Sequence, residues 1–455
     1  MKFKYISIKT ILKNYLQYIL KQRTSFKNVF NKEDIMRKKY GYILVCLFIG
    51  LCCIACNSTA SEKISYTWVP LDFSNSTQDE SGNGWQWNAK EKTLLLDGLQ
   101  LNWDYDKMPA NAAIQLPADS KIHLTENSTN EVRIKADELA NTIVVLCEEN
   151  GDLSIEGNGT LSMSGDIVYS ILAKEGNIII ENGTIQLNHK KGYGIRAENG
   201  VYIQNNGNIT VKDTMVVGDN GVTINGGILY VECQEAPLYA QNGNVVINDG
   251  VVTSKQSGED PLAIILGKGI AVWETDADSN WIINGGEFYT TGIKINSSFV
   301  VNNGYVQIDG VGINLDYMGR YEQNGGQVIV HSEYAGITNT LSSFSENVIP
   351  NRICLNGGQL EVHCSNPNYS AIEFWVEQPE KPNVLGTSIL IGESMALQQG
   401  VWATENSKHY PLLQERDQQE ESIENIVQFI TTIQPETPNE TQMGLQDIVI
   451  TEKTI

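Results

Sequence analysis

The sequence predicts an all-β protein, a right-handed parallel β-helix solenoid with three short strands per coil and about nine or more coils. Three observations carry this expectation. The pattern Gly-x-Φ-x-Φ, with Φ apolar, recurs at Gly159, Gly183, Gly207, Gly227, Gly250, Gly286, Gly304, Gly326 and Gly358. Most steps fall near 20 to 24 residues, with two longer excursions that read as loops inserted into a solenoid. Within one unit, GYGIRAENGVYIQNNGNITVKD at residues 192–213, three alternating apolar runs are separated by Glu-Asn-Gly and Asn-Asn-Gly turns. Finally, Gly, Asn and β-branched residues crowd the repeats, a composition of turns and strands. Leucine-rich repeats would need regular leucines and helical segments, and propeller blades need longer units.

Each element of the repeat has a physical role. Asn182, Asn206, Asn225, Asn248, Asn284, Asn303, Asn324 and Asn356 stand one to three residues before the aligned glycine. Asn and Gly accept φ > 0 cheaply, as a sharp corner demands. Stacked asparagines lie about 4.8 Å apart, so their amides are expected to hydrogen-bond along the axis as a ladder. Places two and four after the glycine face inward because strand side chains alternate. Leu161 and Met163, Ile185 and Leu187, Ile209 and Val211, Leu229 and Val231, Val306 and Ile308, and Leu360 and Val362 fill them, with Ser254 and Thr290 marking a looser fourth place.

Outside the repeats the chain divides further. Residues 1–35 are basic and without repeats, and Met36 reads as the true start. Residues 36–56, MRKKYGYILVCLFIGLCCIAC, have the basic, apolar and small-residue order of an export signal. The Cys-Ile-Ala-Cys ending resembles a bacterial lipobox, which implies lipidation of Cys56 and a membrane-anchored lipoprotein of the cell envelope. Residues 57–150 are expected to form a tether, an N-terminal cap and the first irregular coils, residues 151–402 the regular β-helix, and residues 403–455 an acidic cap and a partly disordered tail.

Charge bounds the partners. Eleven of the 32 basic residues but only two of the 54 acidic residues precede residue 57, which leaves 21 basic against 52 acidic residues in the remainder. Such a surface repels nucleic acid and anionic headgroups. Membrane attachment is therefore expected through the lipid alone, and the protein is expected to be a monomer.

The segments GWQWNAKEKTLLLDGLQL, AAIQLPADSKIHLTENSTNEV, GDLSIEGNGTLSMSG and GYGIRAENGVYIQNNGNITV are similar to the repeat regions of secreted right-handed β-helix proteins of anaerobic bacteria. That group includes the carbohydrate-binding β-helix family, and the resemblance covers roughly residues 80–390. It implies a polysaccharide or surface glycan as partner and, in some members, calcium. The Asp-Gly-Ile segments typical of the family are mostly absent here, and Gly-Tyr-Gly-Ile at residues 192–195 replaces one of them. No cofactor is expected to be required.

Candidate sites follow from the outward places. Tyr230 and Tyr289 take the third place after their glycines and Tyr305 the first, an aromatic row suited to stacking on sugar rings. Glu287 offers hydrogen bonds beside it, and Trp273 and Trp281 on the long insertion are its expected edge. Asp276, Asp278 and Asn280 have the one-three-five spacing of a calcium loop, but the required glycine is replaced by Trp281, so only a looser calcium site is compatible. Among Cys147, Cys233, Cys354 and Cys364, packed thiols are expected; the pair Cys233 and Cys364 is about five coils apart in one column, too far for a disulfide, whereas Cys354 with Cys364 is compatible with a bridge across one coil. Five histidines give no recurring acid–base pair, and Lys212 with Asp213 and Asp219 is the nearest approach to a lyase constellation. The expected function is non-catalytic polysaccharide binding, against two alternatives: a surface adhesin or scaffold with a protein partner, and a divergent polysaccharide lyase.

Overall fold

The computed structural model describes residues 67–257 apart from 138–140, 149, 190–191 and 235–236, and residues 280–373 apart from 296, 316–318, 340–351 and 367–370, together with strands at 388–391, 395–399, 413–415 and 447–452. The described residues form strands and turns only. Their strands stack in register into a parallel β-helix solenoid.

The first sheet collects the strands that lead into the Asn-Gly corner: Ile178–Ile180, Val201–Gln204, Gly221–Ile224, Val245–Ile247, Asn280–Ile283, Ser298–Val301, Arg320–Gln323 and Arg352–Leu355, with earlier and later neighbours. A second sheet collects those that leave it: Thr160–Gly165, Thr184–Asn188, Asn208–Lys212, Ile228–Cys233, Val251–Gln256, Glu287–Ile295, Tyr305–Leu315, Gln327–Ser332 and Gln359–Cys364. The third sheet is shorter, with seven strands from Leu71–Asp72 to Leu238–Ala240. Beyond it, Gly292–Ile295 and Gly312–Leu315 continue the second-sheet strands and pair with each other, and Ile337–Asn339 joins them. A register shift between Thr290 and Gly292 marks where the strand turns, as a bulge does. Three separate strands per coil therefore describe the earlier coils, a single bent strand replaces the second and third in Glu287–Ile295 and Tyr305–Leu315, and separate strands return with Ile337–Asn339 and Ile372–Glu373.

Inside, the alternation places a continuous apolar column. Leu161, Ile185, Ile209, Leu229, Val252, Phe288, Val306, Val328 and Leu360 are all fully buried and each contributes roughly 1.5–3 kcal/mol. Ser254 and Thr290 are buried as well, so the fourth place is inward throughout and merely tolerates a small polar group. Two aromatic–amide pairs recur on the first sheet: Tyr202 donates to Gln204 Oε1 at 3.0 Å and Tyr321 to Gln323 Oε1 at 2.7 Å. Each glutamine amide donates onward to corner carbonyls, Gln204 to Gly226 and Ile228 and Gln323 to Gly326 and Gln359. A buried amide is thereby satisfied without water.

The corner rests on its second glycine. Gly326 has φ of 71°, and a Cβ there would lie 2.5 Å from the Gly304 carbonyl oxygen. That same oxygen accepts the Gln327 N–H at 2.9 Å. Gly304 repeats the arrangement on Gly286, with φ of 94° and a Cβ distance of 2.7 Å.

The asparagines act through their side chains. Nδ2 of Asn225 donates to Oδ1 of Asn205, and the bond repeats from Asn248 to Asn225, Asn284 to Asn248, Asn302 to Asn284, Asn324 to Asn302 and Asn356 to Asn324, all at 2.7–2.9 Å. Asn205 in turn donates to Glu181 Oε2 at 2.9 Å. The ladder place is thus two residues before the aligned glycine, directly after the last inward residue of the strand. Asn182, Asn206 and Asn303, expected in the ladder, do not occupy it. They sit one residue later, where other coils hold Gly226, Asp249, Gly285, Gly325 and Gly357. The described non-glycine residues with positive φ are Lys92, Asp119, Asn127, Asn199 and Asp213, so the ladder asparagines do not supply the φ > 0 of the turn.

At each end an antiparallel strand covers the edge of one sheet, the first sheet at the start and the second at the finish. Trp85–Asn88 pairs antiparallel with Glu80–Gly82 and with Thr93–Leu96, and Trp87 stacks on Phe73 with ring centroids 4.8 Å apart. At the other end Asp447–Glu452 lies antiparallel between Gln359–Cys364 and Met395–Gln399. Reading residues 403–455 as a polar cap with a disordered tail missed this strand, whose Ile450 is buried. An antiparallel strand occupies the hydrogen-bonding edge that another solenoid would otherwise extend. The four described cysteines are buried thiols. Cys354 is on the first sheet in register with Glu322, whereas Cys364 on the second donates through Sγ to the Tyr334 carbonyl at 2.9 Å.

Gly326→Ala combines a left-handed φ with a backbone clash and should cost roughly 1–3 kcal/mol. Asn248→Ala removes two exposed ladder bonds and should cost about 1 kcal/mol or less. Urea unfolding followed by circular dichroism measures both, and equal effects would show that the amide ladder, not the backbone, governs the corner.

Candidate functional site

The parallel register decides which outward side chains meet. Tyr230 is opposite Thr253, which is opposite Tyr289, so the two tyrosines share a column two strand spacings apart, about 9.6 Å. Tyr305 is opposite Glu287, two residues before Tyr289 on the same face. The Tyr289 and Tyr305 ring centroids are 5.8 Å apart with the planes inclined at 54°. All three tyrosines are half-buried, with Glu287 exposed beside them.

Each phenol is held by a residue two places away on its own strand, which alternation puts on the same face. Tyr230 donates to Glu232, Tyr289 to Glu287 Oε2 at 2.7 Å, and Tyr305 to Gln307 Oε1 at 2.8 Å. These bonds tie the rings along the strands. The bond to Glu232, with some burial, pushes the Tyr230 phenol up to about 12, and the bond to Glu287 does the same for Tyr289, also to about 12. Burial, followed by the charge of Asp309, raises Tyr305. At neutral pH the row is therefore uncharged and donates hydrogen bonds.

A polar chain continues along the same face. Gln307 Nε2 donates to Asp309 Oδ2 at 2.6 Å, Asp309 Oδ1 meets His331 Nδ1 at 2.8 Å, and His331 stacks on His363 with centroids 5.1 Å apart. Glu361 Oε2 lies 3.5 Å from His363 Nε2. The sequence pattern, in which the histidines give no recurring acid–base pair, does not join these two to Asp309 and Glu361. Only the coil-to-coil register brings those four together. Glu232 was missed too, although its spacing of two from Tyr230 was available.

Other expected site residues fall elsewhere. Trp281 is buried and faces the core, its ring 5.9 Å from Phe288; it begins the strand alternation at an inward place, so it cannot edge a surface platform. Trp273, Asp276 and Asp278 lie outside the described residues, as does Cys56. Asn280 opens the strand Asn280–Ile283, with its N–H on Asn244 Oδ1 at 2.8 Å. Among the described residues, no group of three or more His, Cys, Asp or Glu side chains is placed to hold a metal ion. Asp219 belongs to the third sheet's surroundings, where Arg196 holds it at 3.2 Å, whereas Lys212 ends a second-sheet strand.

The fold and the aromatic strand face define a β-helix with a surface suited to extended ligands. The chain belongs to the family described as carbohydrate-binding domain-containing protein, whose model matches residues 87–336, more than half of its length. No curated protein matches the chain, and no solved structure matches it. The matched span contains Tyr230, Glu287, Tyr289 and Tyr305.

The raised phenols predict an alkaline signature. A tyrosine whose folded pKa exceeds its unfolded value stabilises the fold below pH 10, and that contribution is lost as pH rises from about 10 towards 12. Replacing Glu287 by Gln should return the Tyr289 ionisation towards its ordinary value. Ultraviolet difference titration reads this directly, and an unchanged midpoint would refute the Glu287 bond as its cause.

Proposed function

We propose that the protein binds a polysaccharide without chemical turnover, along the outward face of the second sheet. The observation that carries this reading is the pinned row of Tyr230, Tyr289 and Tyr305 inside the span matched by a carbohydrate-binding family. Tyrosine rings present an apolar face to the C–H side of a sugar ring, while their hydroxyl partners stay available to sugar hydroxyls. Glu232, Glu287 and Gln307 are those partners, and the ligand runs along the solenoid axis because the row does.

The protein acts as a monomer anchored in the bacterial cell envelope through lipidated Cys56, with no nucleic-acid partner and no cofactor required. The net charge of −22 supports the exclusion of polyanions. Calcium on Asp276, Asp278 and Asn280 is an accessory site in this reading rather than the source of binding.

On a glycan array, Tyr289→Ala and Tyr305→Ala should each weaken binding to the retained polysaccharide by roughly tenfold, the scale of one lost aromatic contact. Tyr230→Ala should act in the same direction, and added chelator should leave binding unchanged. Binding that survives all three substitutions removes the tyrosine row from the account. In bacterial cells, Cys56→Ala should move the protein from the detergent phase to the aqueous phase on phase partition.

A further inference from the structure

The outer face of the first sheet carries a second, chemically different surface. In register along six successive strands stand Ile179, Ile203, Thr223, Val246, Ile282 and Val300. All six point outward and are partly exposed. At the strand spacing this β-branched stripe is about 24 Å long. The six strands, Ile178–Ile180, Val201–Gln204, Gly221–Ile224, Val245–Ile247, Asn280–Ile283 and Ser298–Val301, contain no Asp, Glu, Lys or Arg. In a chain of 32 basic and 54 acidic residues such a gap is a surface feature. Charge returns at both boundaries: Lys121 is 3.1 Å from Glu156 on the preceding strands, and Arg320 pairs with Glu322 on the following one.

The asparagine ladder borders this stripe two residues beyond Ile203, Thr223, Val246, Ile282 and Val300, and beyond Ile179 that place is the exposed Glu181, which closes the uncharged window at this end. A carboxamide has two N–H donors and two acceptor lone pairs. Asn225, Asn248, Asn284 and Asn302 each use one donor and one acceptor in the ladder. One of each is left over at every rung, on an exposed side chain. The surface therefore repeats a β-branched patch, a donor and an acceptor at four successive strands.

We infer that this face binds an uncharged, extended glycan chain lying along the solenoid axis. Pyranose C–H faces cover the aliphatic stripe and hydroxyls take the leftover amide groups. An uncharged ligand matches the charge-free window, whereas a uronate polymer would gain nothing there and would be repelled by the acidic remainder. The inference rests on the carbohydrate-binding reading and adds to it a second face and a ligand class.

The test is depletion binding of the full-length chain to insoluble uncharged β-1,4-mannan and to polygalacturonate. The pair Ile203→Lys and Ile282→Lys places ammonium groups in the window and should weaken mannan binding by roughly tenfold or more. Ser154→Lys, outward on the same sheet one strand outside the window, should leave it unchanged. If the lysine pair unfolds by circular dichroism, Ile203→Thr with Ile282→Thr preserves the branched shape and should weaken binding by about threefold. Mannan binding that ignores both pairs overturns this face and leaves the tyrosine row standing. Binding to polygalacturonate alone also overturns it, as does a lysine pair that dissociates a dimer of the chain without altering mannan uptake. A wild-type protein that binds neither polymer overturns this face, and the tyrosine row falls with it only if the glycan array is blank as well.

Discussion

The structure depends on one backbone contact, the close stacking of corner glycines. The carbonyl of Gly304 must accept the Gln327 N–H at 2.9 Å while a Cβ on Gly326 would stand 2.5 Å from the same oxygen. Only a residue without a side chain meets both requirements. The corner therefore locks the first and second sheets into a common register, and every other column inherits it. Phe288, Val306, Val328 and Leu360 meet inside for this reason, and Asn225, Asn248 and Asn284 meet outside.

A fixed register separates scaffold from recognition. Inward places and the ladder are nearly uniform from coil to coil, since each copy must fit its neighbours. Outward strand places are free to vary, and their variation is what distinguishes one face of the molecule from another. The second sheet carries phenols tied by Glu232, Glu287 and Gln307 and then the Asp309–His331 pair. The first sheet carries an aliphatic stripe free of charge. Both faces run parallel to the axis, so both suit a long polymer better than a compact ligand.

Much of this was legible in the sequence. The aligned glycines gave the period, and alternation gave Leu229, Val231 and the outward Tyr230. The ladder was legible only in kind, because Asn205 and Asn206, or Asn302 and Asn303, are equivalent to a motif and distinct to a strand that ends at Gln204 or Val301. Trp281 was misplaced because its flanks read as an inserted loop, whereas the strand begins at Asn280 and turns it inward. An earlier coil was hidden because Ser128 stands in the glycine place and Asn130 in the core. Asn130 is fully buried yet satisfied, accepting from Gly98 and Leu99 and donating to Ser128 and Thr160. The uncharged stripe was not legible at all, since each strand alone is an ordinary β-branched run and only register joins them.

The central claim is that one stacking register builds both the core and a glycan surface aligned with the axis. A crystal structure of the chain soaked with a mannan or other retained oligosaccharide tests it most directly. The account predicts sugar residues following one another across successive strands of the first or second sheet, parallel to the solenoid axis, over the span 178–332. An oligosaccharide lying along a single strand, on the third sheet or at either antiparallel cap would contradict it.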